Sequence, residues 1–394
     1  MKQLKIGVIG LGGRARHVAM YTRNSANSLK IAEVNVTAVC DPRPKDELIA
    51  YAKADGYDVD ISNARFYTDA DEMLDTEELD ACIIGTRCNL HTPLAIKVLD
   101  RNIDLFLEKP VATTIEDLLA LKAAGERSKS RVVVSFPLRV TPPVTLSKEI
   151  IDSGEIGDIV FANGWTRVAY GGCYYHNWYR DESITGGLFL QKATHDFDYI
   201  NYLIGKKPVE ICAMKSKMVM KGNKPAGLYC KDCPENPTCV EGTVHGWRTF
   251  GYAQDDGKCC YAVDTGNEDS GSAILRYEDG THLSYSQAFF LRNIASCGRG
   301  VFLGGTKGSL TFDFNTNVIK VARSYENVVK DITFTASGAH FGGDERLTEN
   351  FVKMLCGIEP SHSPLEEGLI SALICLKAKQ SAENNAFKKL VYEK

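Results

Sequence analysis

The chain has 394 residues, 24% of them charged and 44% hydrophobic, and a formal net charge of -4 at pH 7. These are ordinary values for a globular protein, and the length exceeds what one hydrophobic core organises, so two domains are expected. The mild acidity gives no reason to expect nucleic acid or a membrane surface as partner, and no apolar run approaches the ~20 residues of a spanning helix.

The N-terminus, Met1-Lys2-Gln3-Leu4-Lys5-Ile6, leads into a strand with no apolar signal segment or cleavage site. A cytoplasmic protein is expected on that ground, with its 13 cysteines mostly reduced. Lys5 to Ile9 reads as the strand, and Gly10-Leu11-Gly12-Gly13-Arg14-Ala15 as the turn into a helix. This is a dinucleotide fingerprint in its G-x-G-x-x-A form: Gly10 permits the tight turn, and Gly12 admits a pyrophosphate to the helix N–H groups. A second strand, Val34 to Cys40, ends in Asp41, placed to accept hydrogen bonds from an adenosine ribose. That favours NAD(H) over NADP(H), although Arg43 leaves some NADP use open. Asp41 lies further from Gly10 than the usual ~20 residues, and the polar stretch Thr22 to Lys30 reads as the insertion responsible.

Asp80 to Gly85 is the next strand. Thr92 is then expected to cap a helix with Pro93 at its first position, which leaves Thr86 to His91 at the strand's ligand-binding end. Leu105-Phe106-Leu107 is a buried strand that ends abruptly in Glu108-Lys109-Pro110, where open α/β sheets bind ligands. Thr113-x-x-Glu116 is a capping box for another helix, and Arg131 to Phe136 closes the domain as a sixth strand. The alternation predicts an α/β Rossmann domain, a doubly wound parallel sheet, over residues 1–138.

The fingerprint, Asn89-x-His91, Glu108-Lys109-Pro110 and Ser153-Gly154-Glu155-Ile156-Gly157 together resemble the Gfo/Idh/MocA oxidoreductase family, and the resemblance covers nearly the whole chain. It implies a second, α+β domain on an open, mainly antiparallel sheet, here residues 139–394, with the last helix packing back near the first domain. It implies that Lys109 is the catalytic-site lysine and that the Lys109–Pro110 bond is cis. It also places Gly10, Gly12, Gly13, Arg14, Asp41, Asn89, His91, Glu108 and Lys109 around the cofactor.

Within the second domain, Leu146 to Ile151 reads as a helix and Asp158 to Thr166 as a strand. Tyr170 to Asp181 is the most aromatic segment, suited to an amphipathic ligand such as a sugar ring or to an edge strand and loop at a subunit contact. Arg180, Tyr174 and Trp178 are its candidates for orienting substrate. From Gly186 to Ile204, Phe189, Ala193, Phe197, Ile200 and Ile204 form one helical face, and Leu188, Gln191, His195, Asp198 and Tyr202 another. His195 falls where the resembled family has its Asp-x-x-x-His-x-x-Asp segment, which implies a general base. The acid that family commonly has four positions earlier is Gln191 here, an amide that orients a hydroxyl but shares no proton.

Cys230-x-x-Cys233 and Cys239, with His245, Cys259 or Cys260 as a fourth ligand, could hold structural zinc. Reduced loop thiols are the favoured reading, so no metal is expected, and hydride transfer needs none. From Gly271 the pattern is β-rich, with a hairpin at Glu278-Asp279-Gly280. Such a sheet needs helices on one face and a partner subunit on the other, so a homo-oligomer, dimer to hexamer, is expected. His340-Phe341-Gly342-Gly343-Asp344 precedes a helix, and the resemblance makes His340 a further substrate candidate. The leading expectation is NAD-dependent oxidation of a secondary hydroxyl on a sugar, cyclitol or glycoside, with Lys109 polarising and His195 moving the proton. The alternatives are redox-neutral glycoside processing through a transient keto-sugar, and a non-catalytic NAD-binding sensor or structural subunit.

Overall fold

The computed structural model describes residues 1–243 and 257–393, which divide into two compact units. The first comprises Met1–Val144, Ala336–Leu373 and Tyr392–Lys394, and the second Thr145–Thr335 and Ile374–Val391. Among the described residues no helix is long and apolar enough to cross a membrane.

In the first unit strands and helices alternate, as β1 (Lys2–Ile9), α1 (Gly13–Leu29), β2 (Ala32–Cys40), α2 (Lys45–Ala52), β3 (Arg65–Tyr67), α3 (Ala70–Thr76), β4 (Ala81–Ile84), α4 (His91–Asp100), β5 (Asp104–Leu107), α5 (Ile115–Arg127) and β6 (Val132–Val134). All six strands are parallel, in the order β3-β2-β1-β4-β5-β6. This order belongs to dinucleotide-binding sheets, whose ligand crevice lies beyond the carboxyl ends of the central strands.

The expected insertion at Thr22–Lys30 is helix. Thr22 and Ala26 are buried at helical spacing, α1 continues to Leu29, and Lys30 closes it in the left-handed region at φ 57°. The extra separation of Gly10 from Asp41 is therefore helical length. Two caps also differ from expectation. Thr92 does not cap α4, because its hydroxyl donates to Val111 O at 2.9 Å. Thr114, not Thr113, caps α5, accepting from Asp117 N at 3.0 Å.

The second unit runs through α6 (Pro142–Asp152, whose first turn belongs to the first unit), β7 (Ile159–Arg167), α7 (Cys173–His176), α8 (Glu182–Thr185), α9 (Thr194–Ile204), β8 (Pro208–Ser216), β9 (Ser270–Tyr277), β10 (His282–Ala288), β11 (Gly298–Gly305), β12 (Gly308–Asp313), β13 (Val318–Arg323) and β14 (Val329–Thr333). The chain then supplies α10 (Gly343–Leu355) to the first unit, α11 (Leu365–Asn384) to both, and β15 (Lys388–Lys389) to the second. The nine-stranded sheet has the order β14-β13-β12-β11-β7-β10-β9-β8-β15 and is antiparallel except at β7–β10. The hairpin at Glu278-Asp279-Gly280 joins β9 to β10, with Gly280 at φ 92°.

Helix α9 covers one face of this sheet. It approaches so closely that a Cβ on Gly164 would lie 2.7 Å from Ile200 Cδ1. The aromatic stretch Tyr170–Asp181 is not an edge strand. It folds into α7 and a 3-10 turn, Trp178–Arg180, because Tyr174 and Tyr175 are drawn into an apolar cluster with Leu188 and Phe289. On the strands' other side Val160, Phe161, Met214 and Ile274 stay exposed.

Candidate active site

The first unit builds a dinucleotide turn. Gly10 has φ 76°, and a Cβ on it would lie 2.4 Å from Thr86 Cγ2. Only glycine fits there. A Cβ on Gly12 would meet only Gly85 O, at 3.1 Å, and one on Gly13 only the Tyr51 hydroxyl, at 3.8 Å. Gly12 thus packs tightly on the end of β4, while the backbone at Gly13, the start of α1, is open to approach, as a pyrophosphate requires. Ala15 is the third small residue, since a Cβ on Gly85 would lie 2.6 Å from its own Cβ.

Asp41, at the end of β2, is buried and anchors this turn by accepting from Leu11 N at 2.9 Å. It also accepts from Arg43 N, Nε and Nη2 at 3.1, 2.9 and 2.9 Å. Burial acts to raise the Asp41 pKa, but the hydrogen bonds from Arg43 and Leu11 outweigh it and hold the carboxyl below its ordinary value. Ribose hydroxyls could use this acceptor once Arg43 moves aside. The turn and the acid together fit an NAD molecule.

At the end of β5, the Lys109–Pro110 peptide is cis, as the resemblance implies. Lys109 is half-buried and its neighbours are tied down on both sides. His91 lies buried beneath the turn, with Nδ1 2.8 Å from Pro110 O and Nε2 3.3 Å from Thr86 O. Burial pushes the His91 pKa down, and a neutral ring has one N–H, which the shorter contact assigns to Nδ1. His91 thereby ties the start of α4 to the cis turn through Nδ1. Asn89 is exposed on that loop.

Glu108 is buried and accepts at Oε1 from Arg14 Nε at 3.1 Å and Ser135 Oγ at 2.8 Å. Arg14, from the glycine turn, also donates through Nη1 and Nη2 to Asp344, at 3.1 and 2.8 Å. His340 Nδ1 lies 2.8 Å from Asp344 Oδ2, and His17 Nε2 3.4 Å from it. Burial acts to raise the Asp344 pKa, but Arg14 and His340 hold it well below the usual carboxylate range. Burial and Arg14 pull His17 down to about 4. The turn carrying His340 is constrained, with His340 and Phe341 at φ 46° and 57°.

The second unit carries the histidine segment. A π-helical turn, Phe189–Ala193, leads directly into α9, and Gln191, Lys192, His195 and Asp198 are all buried. π-Turns of this kind concentrate at functional sites. Glu268 caps the segment, accepting from Phe189 N at 2.9 Å, and burial raises its pKa. Asp196, next to His195, accepts from Thr166 Oγ1 at 2.9 Å, Tyr285 Oη at 2.7 Å and Arg299 Nε at 2.5 Å. It thereby ties α9 to β7, β10 and β11. Lys192 Nζ bonds the Tyr170 hydroxyl, and burial, then Arg299, lowers its pKa to about 7.

The substrate candidates differ in their surroundings. Arg180 is buried, and its Nη2 donates to Asp264, Thr265 and Cys259 O at 2.9, 2.7 and 3.2 Å. Tyr174 is buried edge-on against Tyr179 and Phe289, and Trp178, half-buried, stacks on Tyr179 at 3.8 Å. None of the 13 cysteines is in a disulfide, and His245 lies outside the described residues. Sequence reasoning passed over Asp196, Glu268 and Ser135, whose contacts span 27 to 103 positions and leave no local spacing signal.

The strand order, the glycine turn and the acid after β2 define a dinucleotide-binding fold. Residues 4–136 match the family model described as oxidoreductase family, NAD-binding Rossmann fold, and residues 144–311 match that of the GFO/IDH/MocA C-terminal domain. The chain belongs to the Gfo/Idh/MocA family of NAD-binding oxidoreductases. It is 27% identical to YteT of Bacillus subtilis (strain 168) over 317 residues, 71% of this chain and 73% of that protein. It is 23% identical to inositol 2-dehydrogenase of Corynebacterium glutamicum over 301 residues, 75% of this chain and 82% of that one. The solved structure of levoglucosan dehydrogenase in complex with NADH and L-sorbose superposes with a TM-score of 0.78 at 18% identity, covering 99% of this chain and all of that one, and so shares the fold.

Proposed function

We propose that the protein oxidises, reversibly, a secondary hydroxyl of a sugar, cyclitol or glycoside, with NAD(H) preferred over NADP(H). The cofactor, held at Gly10, Gly12, Gly13 and Asp41, supplies the hydride acceptor when bound. Lys109 hydrogen-bonds the reacting oxygen and stabilises the negative charge that develops on it. His195 takes the hydroxyl proton and returns it in the reverse direction. Gln191, one turn earlier on the same helical segment, orients a hydroxyl without competing for the proton.

The observation that carries this reading is the setting of Lys109. It follows β5, one strand beyond the β1–β4 switch point of a dinucleotide sheet, and the Glu108 carboxylate links the same turn to Arg14 of the fingerprint. An ammonium fixed at a cofactor's edge suits the polarisation of a hydroxyl. The names of the relatives, an inositol 2-dehydrogenase and a levoglucosan dehydrogenase, support a cyclic polyol or anhydrosugar as substrate class. The exposed Phe161, Met214 and Ile274 support assembly of a homo-oligomer through the uncovered sheet face.

The test is to identify the nucleotide released on denaturing the purified chain and to follow NADH formation with inositols, free sugars and glycosides. NADH accumulating with a free sugar or cyclitol supports net oxidation. Glycoside cleavage with sub-stoichiometric cofactor points to redox-neutral processing, and no turnover over the panel overturns the enzymatic reading.

A further inference from the structure

The cysteine-bearing part of the second unit has no role in the proposed reaction, yet its described residues assemble a set of metal donors. His176 closes α7, Glu241 follows the third cysteine of the insertion, and Cys260 belongs to the Cys259-Cys260 pair. Their ligand atoms all lie within 4.8 Å of one another, and the three side chains are buried. We propose that His176, Glu241 and Cys260 form a zinc site.

The imidazole carries the main argument. His176 Nδ1 lies 2.8 Å from Lys258 O, and Nε2 lies 3.2 Å from Glu241 Oε2. Both partners are acceptors. A neutral ring donating from Nδ1 would turn its Nε2 lone pair toward a carboxylate, which is repulsive unless a cation lies between them. Zinc with N, O and S ligands at about 2.0–2.3 Å keeps its donor atoms about 3.3–3.8 Å apart, close to the 3.2 Å between Nε2 and Oε2.

The surroundings fit the same arrangement. The Lys258 carbonyl fixes the ring and its tautomer, the usual outer partner of a metal-bound histidine. Arg292 Nε donates to Glu241 Oε1 at 3.0 Å, which leaves Oε2 turned to the cluster. The carboxylate and a Cys260 thiolate neutralise a divalent charge, and the soft sulfur selects zinc over magnesium or calcium. Cys230 is outside the set, since its Sγ is 3.9 Å from Nδ1, on the ring's other edge. Binding displaces the Cys260 proton, and any proton on Nε2, to solvent, with no change of oxidation state. The rival arrangement is an imidazolium clamped between Lys258 O and Glu241, with Cys260 as apolar filler.

The test is metal analysis of the full chain purified without chelator, followed by replacement of the metal with cobalt. About one zinc per chain is expected, lost in Cys260→Ser and His176→Asn and kept in Cys233→Ser and Cys239→Ser. Chelator should lower the Tm of the wild type. The cobalt form of the wild type should show a thiolate-to-metal charge-transfer band, a readout that does not depend on any variant folding. A folded wild type that carries no zinc and takes none up overturns the site. So does zinc retained by Cys260→Ser and His176→Asn, or zinc lost from Cys233→Ser or Cys239→Ser.

Discussion

Asp344 accepts two hydrogen bonds from the guanidinium of Arg14, at 2.8 and 3.1 Å. The same guanidinium reaches Glu108 through Nε, so the glycine turn, the end of β5 and the start of α10 meet in one ionic network. Asp344→Ala leaves Arg14 with a single carboxylate. Arg14 keeps 30% of its side chain exposed, so the loss should fall at the low end for a buried pair, about 3 kcal/mol. The network also has a pH signature. The depressed pKa of Asp344 makes its contribution fully present above the unfolded value near 3.9 and lost as pH falls through the folded value. Thermal melts of wild type and Asp344→Asn should therefore converge in acid and stay apart at neutral pH. A constant difference contradicts this.

Asp41 already accepts from Leu11 N and from Arg43. On the proposed reading, ribose hydroxyls compete with Arg43 for it, and a freed Arg43 is the group that would meet a 2'-phosphate. Asp41→Ala should lower kcat/KM with NAD about 10- to 100-fold, the worth of hydrogen bonds to a charged acceptor, and change it much less with NADP. Steady-state kinetics with both cofactors decide this. A wild type that prefers NADP contradicts it.

Lys192 titrates at about 7 in the folded chain against 10.5 when unfolded. Between these values the unfolded chain binds more protons, so stability rises with pH across the window. Lys192→Met removes that titration. It should raise Tm relative to wild type most at and below pH 7, with the gap narrowing toward pH 10. Parallel Tm profiles would count against a shifted lysine.

Asp196 holds α9 to three strands through Thr166, Tyr285 and Arg299. Asp196→Ala strands a buried guanidinium and should cost about 3–5 kcal/mol in denaturant melts of the second unit. Titration calorimetry with NAD should still detect binding to the first unit. An unchanged melt contradicts the anchoring role.

Much of this architecture was legible in the residues. Gly10, Gly12, Asp41 and Lys109 fall at strand ends, where local patterning reports on the ligand edge. The sequence also marked Phe189, Ala193, Phe197, Ile200 and Ile204 as one apolar face, and all five are buried. Errors came where tertiary packing overrode a local cue. Thr92 had a cap's position but gave its hydroxyl to Val111 O. Asp196 and Glu268 escaped notice as partners because each is matched by residues far along the chain, and so did the Asp344 contact to Arg14, 330 positions away. The proposed donor set was not visible in local spacing for a related reason: His176 lies 65 positions before Glu241.

The central claim is that Lys109 and His195 act on the substrate hydroxyl while other groups hold the cofactor. The most direct measurement pairs NAD titration calorimetry with turnover on the best polyol or glycoside, for wild type, Lys109→Ala and His195→Asn. Both variants should bind NAD with a Kd near wild type, while kcat falls roughly 10²- to 10⁴-fold, as expected for a lost oxyanion donor or general base. Unchanged turnover in either variant, with NAD binding intact, would contradict the account.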